Sequence, residues 1–405
     1  MTKKILQINT VVNTSSTGRI AEEIGLTAMS NGWDSYVAYG RNKRPSASKL
    51  IKIGNNTDIK LHGLQTRLFD RHGLASKGAT MKLIQEIKKI KPNIIHLHNL
   101  HGYYLNYEIL FGYLSVVNIP TVWTFHDCWP ITGHCVYFSY VGCEKWKTQC
   151  YKCPQKTLYP ASYLIDHSKK NYSLKKESFN SLSNITLVPV SQWLSGILND
   201  SFLQNYPIKT IHNGINTEVF KPYDGSSVRV KYELEDKFII LGVASVWEPR
   251  KGLVDFIELS KHLSDDYKIV LVGLTKKQIS KLPENILGIE RTEIVQGLAE
   301  IYASSDVFIN PTYEDNFPTT NLESLACGTP VITYKTGGSP EAIDDYTGIV
   351  VEQGNINNLM DAINQIKSNG KHYYSDACVS RANRLYKKED RYREYLELYE
   401  ELLAK

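Results

Sequence analysis

Short apolar runs alternate with stretches of helical periodicity along the whole chain, and this alternation limits the fold more than any other feature. Five such runs occupy residues 5–12, 35–39, 94–98, 121–125 and 185–190. The second half adds four more, in the segments FIILGVAS, KIVLVG, SDVFINP and VITY. Strands that alternate with helices form parallel sheets with helices on both faces. The sequence therefore predicts an α/β fold.

The length of 405 residues allows two such domains, each with its own core. We place the boundary near Phe220, so that the first domain covers residues 1–220 and the second residues 221–388. Residues 389–405 are predicted as a closing helix, because apolar and aromatic side chains recur there at helical spacing. Two α/β halves without a convincing sequence repeat favour an enzyme with a cleft between its domains.

Charge is distributed unevenly between the halves. Residues 1–220 hold 25 Lys and Arg against 13 Asp and Glu, whereas residues 221–405 hold 22 against 29. A basic half suits an acidic partner, and an anionic membrane surface is the better candidate because no nucleic-acid-binding motif accompanies it. A solvated basic face without a partner is the alternative. No leader-like or membrane-spanning apolar run is found, so we expect a cytoplasmic protein, with the inner face of the membrane as its place of contact.

The densest functional pattern is PTYEDNFPTTNLESLACGTPVITYKTGGSPE, residues 311–341. It predicts a helix that begins after Pro318, with Thr319 or Thr320 as its cap, and ends at Gly328. A second helix start is predicted at Ser339. Helix N-termini present free backbone N–H groups to phosphate, and nearby carboxylates suit a ligand that also carries sugar hydroxyls. The simpler alternative is that Glu323 only complements the helix dipole.

This stretch resembles the signature of glycosyltransferase family 4, in which two acidic residues are separated by seven others near a helix start. Asp315 and Glu323 have that spacing, and Asp315 stands where the family usually has Glu. The resemblance implies the GT-B fold, with two Rossmann-like domains facing across a cleft and a C-terminal helix that crosses back to the first domain. It also implies sugar transfer from a UDP- or GDP-linked donor to a glycan or lipid-linked acceptor, with retention of configuration and no catalytic metal.

The same resemblance assigns the donor-binding residues. Glu323 would bind the ribose hydroxyls, and Asp315 or Glu314 would bind the sugar. The leaving diphosphate would be held by backbone N–H groups of the segment that comprises Asn316, Phe317, Pro318, Thr319 and Thr320.

Cations suited to that diphosphate follow an apolar run in SVWEPRKGLVDFI. Arg250 and Lys251 could neutralise the leaving phosphate. The family usually has its Arg further upstream, at the position of Val246, so we propose that Arg250 substitutes for it. Two exposed surface cations are the alternative.

The first domain offers its own candidates. Gly18 falls in a polar loop that we expect to precede a helix from about residue 19 to residue 31, at the carboxyl end of the first strand, and would lie near the donor or acceptor. No GxGxxG is present there, which disfavours a dinucleotide. His126 follows the strand TVWTF, where the family has a His that contacts the reacting sugar, and Asp127 could orient it or bind the acceptor. We interpret His96, His98 and His101 as acceptor-side or structural residues.

An insert at about residues 128–155 is rich in cysteine. Its Cys135, Cys143, Cys150 and Cys153 could complete a tetrahedral structural zinc site, because Cys150 and Cys153 have the spacing of a zinc knuckle. Disulfides and free thiols remain alternatives. Two other functions also remain open: a nucleotide-sugar epimerase on the same fold, and a zinc-stabilised protein that binds glycans without catalysis.

Overall fold

A computed structural model describes residues 2–292 and 294–405. The chain divides into two compact units, Met1–His212 with Glu389–Lys405, and Asn213–Lys388. The second unit thus begins before the predicted boundary at Phe220. The two ends of this unit are hydrogen-bonded to each other. Ile215 N donates to Tyr386 O at 2.7 Å, and Lys388 N donates to Ile215 O at 3.0 Å.

The first unit is built on a parallel sheet of six strands, whose order is β3-β2-β1-β4-β5-β6. The strands are β1 (Lys4–Asn9), β2 (Asp34–Tyr39), β3 (Lys49–Lys52), β4 (Ile94–Leu97), β5 (Thr121–Phe125) and β6 (Ile185–Pro189). The helices are α1 (Ser15–Ser30), α2 (Asn56–Phe69), α3 (Lys77–Ile90), α4 (Tyr107–Val117), α5 (Ser168–Phe179) and α6 (Gln192–Asn199). Every residue of β4 and β5 is buried, because helices cover both faces of a parallel sheet.

The second unit repeats this plan, with the strand order β12-β11-β10-β7-β8-β9. The strands are β7 (Phe238–Val243), β8 (Tyr267–Val272), β9 (Ile286–Ile289), β10 (Val307–Asn310), β11 (Val331–Tyr334) and β12 (Gly348–Val351). The helices are α7 (Ser226–Lys231), α8 (Leu253–Leu259), α9 (Lys276–Ile279), α10 (Val295–Ser304), α11 (Thr319–Ala326), α12 (Ile356–Asn369) and α13 (His372–Tyr386). In each unit, the crevice at the carboxyl ends of the two strands where the order reverses is the place where such folds bind ligands.

The last helix, α14 (Lys388–Leu403), belongs to the first unit. Its Tyr395, Leu398 and Tyr399 are buried in one apolar core with Ile5 and Ile94 of the central strands. The predicted crossing of the C-terminal helix to the first domain is therefore confirmed. No helix among residues 2–292 and 294–405 is both long and apolar enough to cross a membrane.

Three local predictions were wrong. The first helix begins at Ser15, not near Arg19, because left-handed backbone at Asn13 and Ser15 turns the chain early. Pro318 occupies the N-cap position of α11, so Thr319 and Thr320 lie in its first turn and neither caps it. The element at Ser339 is one 3-10 turn, Ser339–Ala342, and not the start of a second α-helix.

Candidate functional site

Two loops meet at the carboxyl ends of β7 and β10 in the second unit. Gly252 has φ 72°, and a Cβ there would lie 2.2 Å from the carbonyl oxygen of Pro311. Tyr313 N also donates to Arg250 O at 2.7 Å. The glycine is therefore required for a close backbone approach, which fixes the loop of residues 244–252 against the loop of residues 311–318.

Opposite charges face one another across these loops. Arg250 donates from Nη1 to Glu314 O at 2.9 Å and from Nε to Glu248 Oε2 at 3.0 Å. Lys251 Nζ lies 2.5 Å from Asp315 Oδ2, with the two side chains 20% and 18% exposed. Both cations are thus held in place, and partial burial strengthens their field relative to a freely exposed charge.

A buried polar network fixes the start of α11, just after the acidic loop. Asn321 accepts from Asn310 Nδ2 at 2.8 Å and donates to Ser339 Oγ at 3.0 Å. Ser339 Oγ in turn lies 2.6 Å from Thr333 Oγ1. The network joins β10, β11 and the 3-10 turn to α11, so the first-turn N–H groups of α11 have a fixed direction.

The three acidic residues of this stretch have different surroundings. Glu323 is buried and accepts a hydrogen bond from Tyr302 OH on α10 at 3.1 Å. Burial and the neighbouring Glu323 carboxylate raise the pKa of Tyr302 well above its usual value. Glu314 is also buried, whereas Asp315 is partly exposed beside Lys251.

In the first unit, His126 follows β5 directly and joins a hydrogen-bond chain that leads from the partly buried His126 into the core. Its Nε2 lies 3.1 Å from His98 Nδ1, and His98 Nε2 lies 3.0 Å from Gln7 Oε1. The two imidazole rings are stacked, with an interplanar angle of 17°. Burial lowers the pKa of His126 to about 4, so the ring is neutral at pH 7 and can exchange hydrogen bonds without carrying charge.

Two other histidines differ in role. His96 is fully buried, and both of its nitrogens are engaged, at 2.6 Å from Tyr399 OH and 2.7 Å from Thr124 Oγ1. It therefore attaches α14 to the sheet. His101 has Nε2 at 2.6 Å from Asp127 Oδ2 and Nδ1 at 3.0 Å from Tyr159 OH, near the surface.

Asp127 is held as a carboxylate by these contacts. Burial raises its pKa, but the His101 imidazole and a hydrogen bond donated by Trp129 N outweigh that effect and hold the pKa below its ordinary value. Asp127 thus fixes the His101 ring, and the ring in turn fixes the Tyr159 hydroxyl that is hydrogen-bonded to it.

The four insert cysteines are free thiols, in a loop region that extends to the start of α5 and so beyond the predicted insert. A hydrogen bond joins Cys135 and Cys153; it raises the pKa of Cys135 and lowers that of Cys153 to about 7. Among residues 2–292 and 294–405, no three His, Cys, Asp or Glu side chains are arranged to hold a metal ion. The predicted tetrahedral set is therefore not assembled in this arrangement.

A buried lysine supports the same insert. Lys175 of α5 donates from Nζ to Trp129 O at 2.6 Å and to Thr132 O at 2.9 Å. Its ammonium lies 3.5 Å from the centre of a Trp129 ring. Burial lowers the pKa of Lys175 to about 7.

Models of two glycosyltransferase families match successive parts of the chain. "Glycosyltransferase Family 4" matches residues 18–219, and "Glycosyl transferases group 1" matches residues 226–383. The chain belongs to glycosyltransferase family 4.

Relatives support this placement. A protein of Escherichia coli strain K12 assigned to colanic acid biosynthesis as glycosyl transferase WcaC is 24% identical over 374 residues, which cover 88% of this chain and 89% of that protein. Sucrose-phosphate synthase from Thermosynechococcus elongatus has the same fold, with a TM-score of 0.73, 17% identity and 99% coverage of both chains. Anabaena Alr3699/HepE in complex with UDP has a TM-score of 0.70 and 14% identity, over 98% of this chain and 100% of that one. The GT-B fold predicted from the sequence is confirmed.

The structure of this glycosyltransferase brings most predicted donor residues together within one unit. Arg250, Lys251, Glu314 and Asp315 converge with the segment that leads into α11, while Glu323 lies deeper, against α10. Gly18 lies in the first turn of α1, where a Cβ would be 3.0 Å from Val11 Cγ2 and 3.1 Å from Asn13 N. Its small size therefore lets α1 start close to β1.

Several residues at the carboxyl edge of the first sheet were not predicted from the sequence. Tyr103, Tyr159, Arg41 and Arg67 come together near His101. They lie far apart in sequence and form no motif, so only the fold brings them together. One signal was present, the pair Gly102-Tyr103 directly after His101, since a glycine after a strand often allows an unusual backbone turn.

Proposed function

We propose that this enzyme is a retaining hexosyltransferase that moves a sugar from a nucleoside-diphosphate sugar to an acceptor hydroxyl, in the assembly of a polysaccharide or glycolipid. The observation that carries the proposal is the joining of a cationic loop to an acidic loop at the carboxyl edge of the second sheet. A diphosphate needs the cations, and a sugar needs the carboxylates.

The proposed mechanism divides the work among residues of that edge. Arg250, Lys251 and the N–H groups at the start of α11 would hold the diphosphate and stabilise the charge that develops on it as the glycosidic bond breaks. Asp315 is the better candidate for the sugar hydroxyls, because it is partly exposed and Glu314 is buried. The leaving phosphate oxygen would take the acceptor's proton on the same face of the sugar.

Support for the donor comes from relatives. HepE of Anabaena has been solved with UDP and with UDP-glucose, which favours UDP over GDP here. The Escherichia coli relative assigned to colanic acid biosynthesis favours a surface polysaccharide as product.

Calorimetric titration with UDP, GDP and NAD in turn tests the donor assignment. We expect one nucleoside diphosphate to bind and its affinity to fall at least tenfold in Arg250→Ala, because a charge-assisted contact to phosphate is lost. Glu248→Gln is the matched control, since it removes the exposed partner of Arg250 and leaves the guanidinium. Binding of NAD alone, or unchanged UDP and GDP binding in Arg250→Ala, would contradict the proposal.

The role of Glu323 is tested better by a conservative substitution than by alanine. Glu323→Gln keeps an acceptor for Tyr302 OH but removes the negative charge proposed to bind ribose hydroxyls. We expect transfer to be nearly abolished in this variant with the thermal midpoint retained, and Tyr302→Phe to retain transfer. Full activity in Glu323→Gln would show that Glu323 does not bind the donor.

His126 is proposed to contact the reacting sugar. His126→Ala should therefore also lower the transfer rate.

We also propose contact with an anionic membrane through the basic first unit. Exposed apolar side chains lie there on α2, at Leu61 and Leu64, and in the adjoining loop, at Tyr163 and Leu164. Tyr163 N donates to Arg67 O at 2.8 Å, which places the loop against the end of α2. Apolar side chains beside cations suit the interface of an anionic bilayer.

Sedimentation with phosphatidylglycerol vesicles tests this contact. We expect Leu164→Glu to reduce binding severalfold. Val116→Glu, at an apolar position of α4 that is 78% exposed against 67% for Leu164, should leave binding unchanged. Equal binding by both variants would contradict the assignment of this surface.

A structural zinc held by Cys135, Cys143, Cys150 and Cys153 remains a proposal. It would require Cys143 and Cys150 to move towards the hydrogen-bonded pair of Cys135 and Cys153. Metal analysis of the purified protein should find one zinc per chain, and its absence would leave the cysteines as thiols.

A further inference from the structure

The carboxyl edge of the first sheet carries a second concentration of positive charge, built around one aromatic ring. The guanidinium groups of Arg41 and Arg67 each lie 5.9 Å from the centre of the Tyr103 ring. Both arginines are exposed, and within the described residues neither is paired with a carboxylate. Two like charges on one ring repel each other, and an anion would relieve that repulsion.

The Tyr103 ring is held in place by its backbone and its neighbours. Tyr103 has φ 70°, a left-handed conformation that is rare for a residue with a side chain. The preceding Gly102 has φ 119°, and a Cβ there would lie 2.4 Å from Thr10 Cγ2. His72 meets the ring edge-on, with centroids 4.7 Å apart. Such a costly backbone conformation, supported on several sides, is typical of functional sites.

A second tyrosine is fixed beside the Tyr103 ring. Tyr159 has its ring centroid 6.0 Å from that of Tyr103, and its OH lies 3.0 Å from His101 Nδ1. The His101–Asp127 pair orients this contact from beneath, at 2.6 Å. The edge therefore offers two guanidinium groups beside a fixed pair of aromatic rings, and the neighbouring carboxylate of Asp127 is buried.

We propose that Arg41, Arg67, Tyr103 and Tyr159 form an anion-binding subsite that holds a phosphate group of the acceptor. Arginine forks match the geometry of phosphate oxygens, and Tyr159 supports the Tyr103 ring that both guanidinium groups approach. That the phosphate belongs to an acceptor rests on the proposed function, whereas the binding of phosphate does not. The phosphate could come from a soluble ester or from a lipid-linked diphosphate, which share this chemistry.

Calorimetric titration of the full chain with inorganic pyrophosphate tests the subsite. We expect two binding sites per chain. One should lose ten- to a hundredfold in affinity in Arg41→Ala/Arg67→Ala, and the other should lose affinity in Arg250→Ala. Lys49→Ala is the control and should keep both sites, because Lys49 lies near the Tyr36 ring at the amino end of β3 and is already paired with Asp34.

The pattern of loss separates the possible outcomes. A single site removed by Arg250→Ala and retained in Arg41→Ala/Arg67→Ala would overturn the subsite while leaving the donor assignment intact. A single site removed by Arg41→Ala/Arg67→Ala would support the subsite and contradict the donor assignment. The absence of any binding would overturn both.

A second arm with phosphatidylglycerol vesicles distinguishes the sources of phosphate. If Arg41→Ala/Arg67→Ala lowers vesicle sedimentation but leaves pyrophosphate binding unchanged, the two arginines belong to the membrane surface, and the acceptor subsite is wrong. Loss of pyrophosphate binding with sedimentation retained would support a subsite for a phosphate that is not part of the bilayer.

Discussion

The two sheets of this glycosyltransferase share one strand order but present different polar groups at their carboxyl edges. In the second unit, the edge holds partly buried ion pairs, such as Lys251 with Asp315. In the first unit, the strand ends hold neutral histidines that bond to one another, such as the buried His98 and the partly buried His126. The same scaffold therefore supplies fixed charge in one unit and uncharged hydrogen bonding in the other, and the loops, not the sheet, decide which.

The largest effect on transfer should follow from removing charge at the carboxyl edge of the second sheet. We expect Asp315→Asn to lower the kcat/KM of sugar transfer by about a hundredfold, because Lys251 loses its charged partner and the sugar loses the charged acceptor proposed for it. Glu248→Gln, which removes an acid that is 52% exposed, should change kcat/KM less than threefold. Equal losses in the two variants would show that the partly buried pair of Lys251 and Asp315 has no special role in transfer.

In the first unit, the histidine network is expected to affect stability. Tyr399→Phe removes the hydroxyl that bonds His96 and leaves a buried nitrogen without a partner, which should cost about 1–3 kcal/mol in the free energy of unfolding. Urea unfolding followed by tryptophan fluorescence reports mainly this unit, since Trp247 alone of the six tryptophans lies outside it. Tyr373→Phe, at an exposed position, should change the free energy by less than about 0.5 kcal/mol.

The neutral histidines also predict a dependence on pH. Burial, and secondarily Arg71, lowers the pKa of His62 to about 3, and its Nε2 accepts a hydrogen bond from Gly73 N at 3.0 Å. The unfolded chain binds this proton below about pH 6.5, so the contribution of His62 to stability is complete above that pH and is lost as the pH falls towards 3. His134 acts in the opposite direction, because although burial lowers its pKa, the contact with Asp70 raises it overall.

Unfolding free energies measured from pH 7 to pH 5 test this dependence. His62→Gln should reduce the slope by at most about 1.4 kcal/mol per pH unit, the value for one proton. His262→Gln, at a position with a side chain 53% exposed, is the control and should keep the slope. An unchanged slope in His62→Gln would mean that His62 is not the residue responsible.

The smallest effect is expected at Val246. This side chain is 60% exposed and stands where the family usually has its arginine. If Arg250 supplies that charge instead, Val246→Ala should leave kcat/KM within about twofold and stability within about 0.5 kcal/mol. A tenfold loss in kcat/KM would show that position 246 itself contacts the donor.

The sequence was sufficient for the architecture and for one of the two edges. Nine of the twelve strands were visible as apolar runs, and the missed ones, β3, β9 and β12, are four-residue strands at sheet edges. Edge strands are short and half-exposed, so they lack a long apolar pattern. The loops around Arg250 and Asp315 could be found because each is a continuous motif.

The cluster at the carboxyl edge of the first sheet could not be predicted in the same way. Arg67 lies in the last turn of α2, whereas Arg41, Tyr103 and Tyr159 lie in three separate loops. A left-handed backbone at Tyr103 brings its ring to the two arginines. The start of α1 was also misplaced, because the turns at Asn13 and Ser15 depend on backbone conformations that ordinary residues rarely adopt. Local pattern does not encode such features.

The position of α14 has a consequence for biosynthesis. Residues 213–388 contain every residue of their own unit, whereas the core around Ile5 and Ile94 lacks Tyr395 and Tyr399 until residues 389–405 are translated. Domains generally fold as units, and usually the first to be synthesised folds first. Here the half that is made first is completed last. A nascent chain released before Glu389 would therefore contain an intact second unit and a first unit with an open apolar face for chaperones to bind.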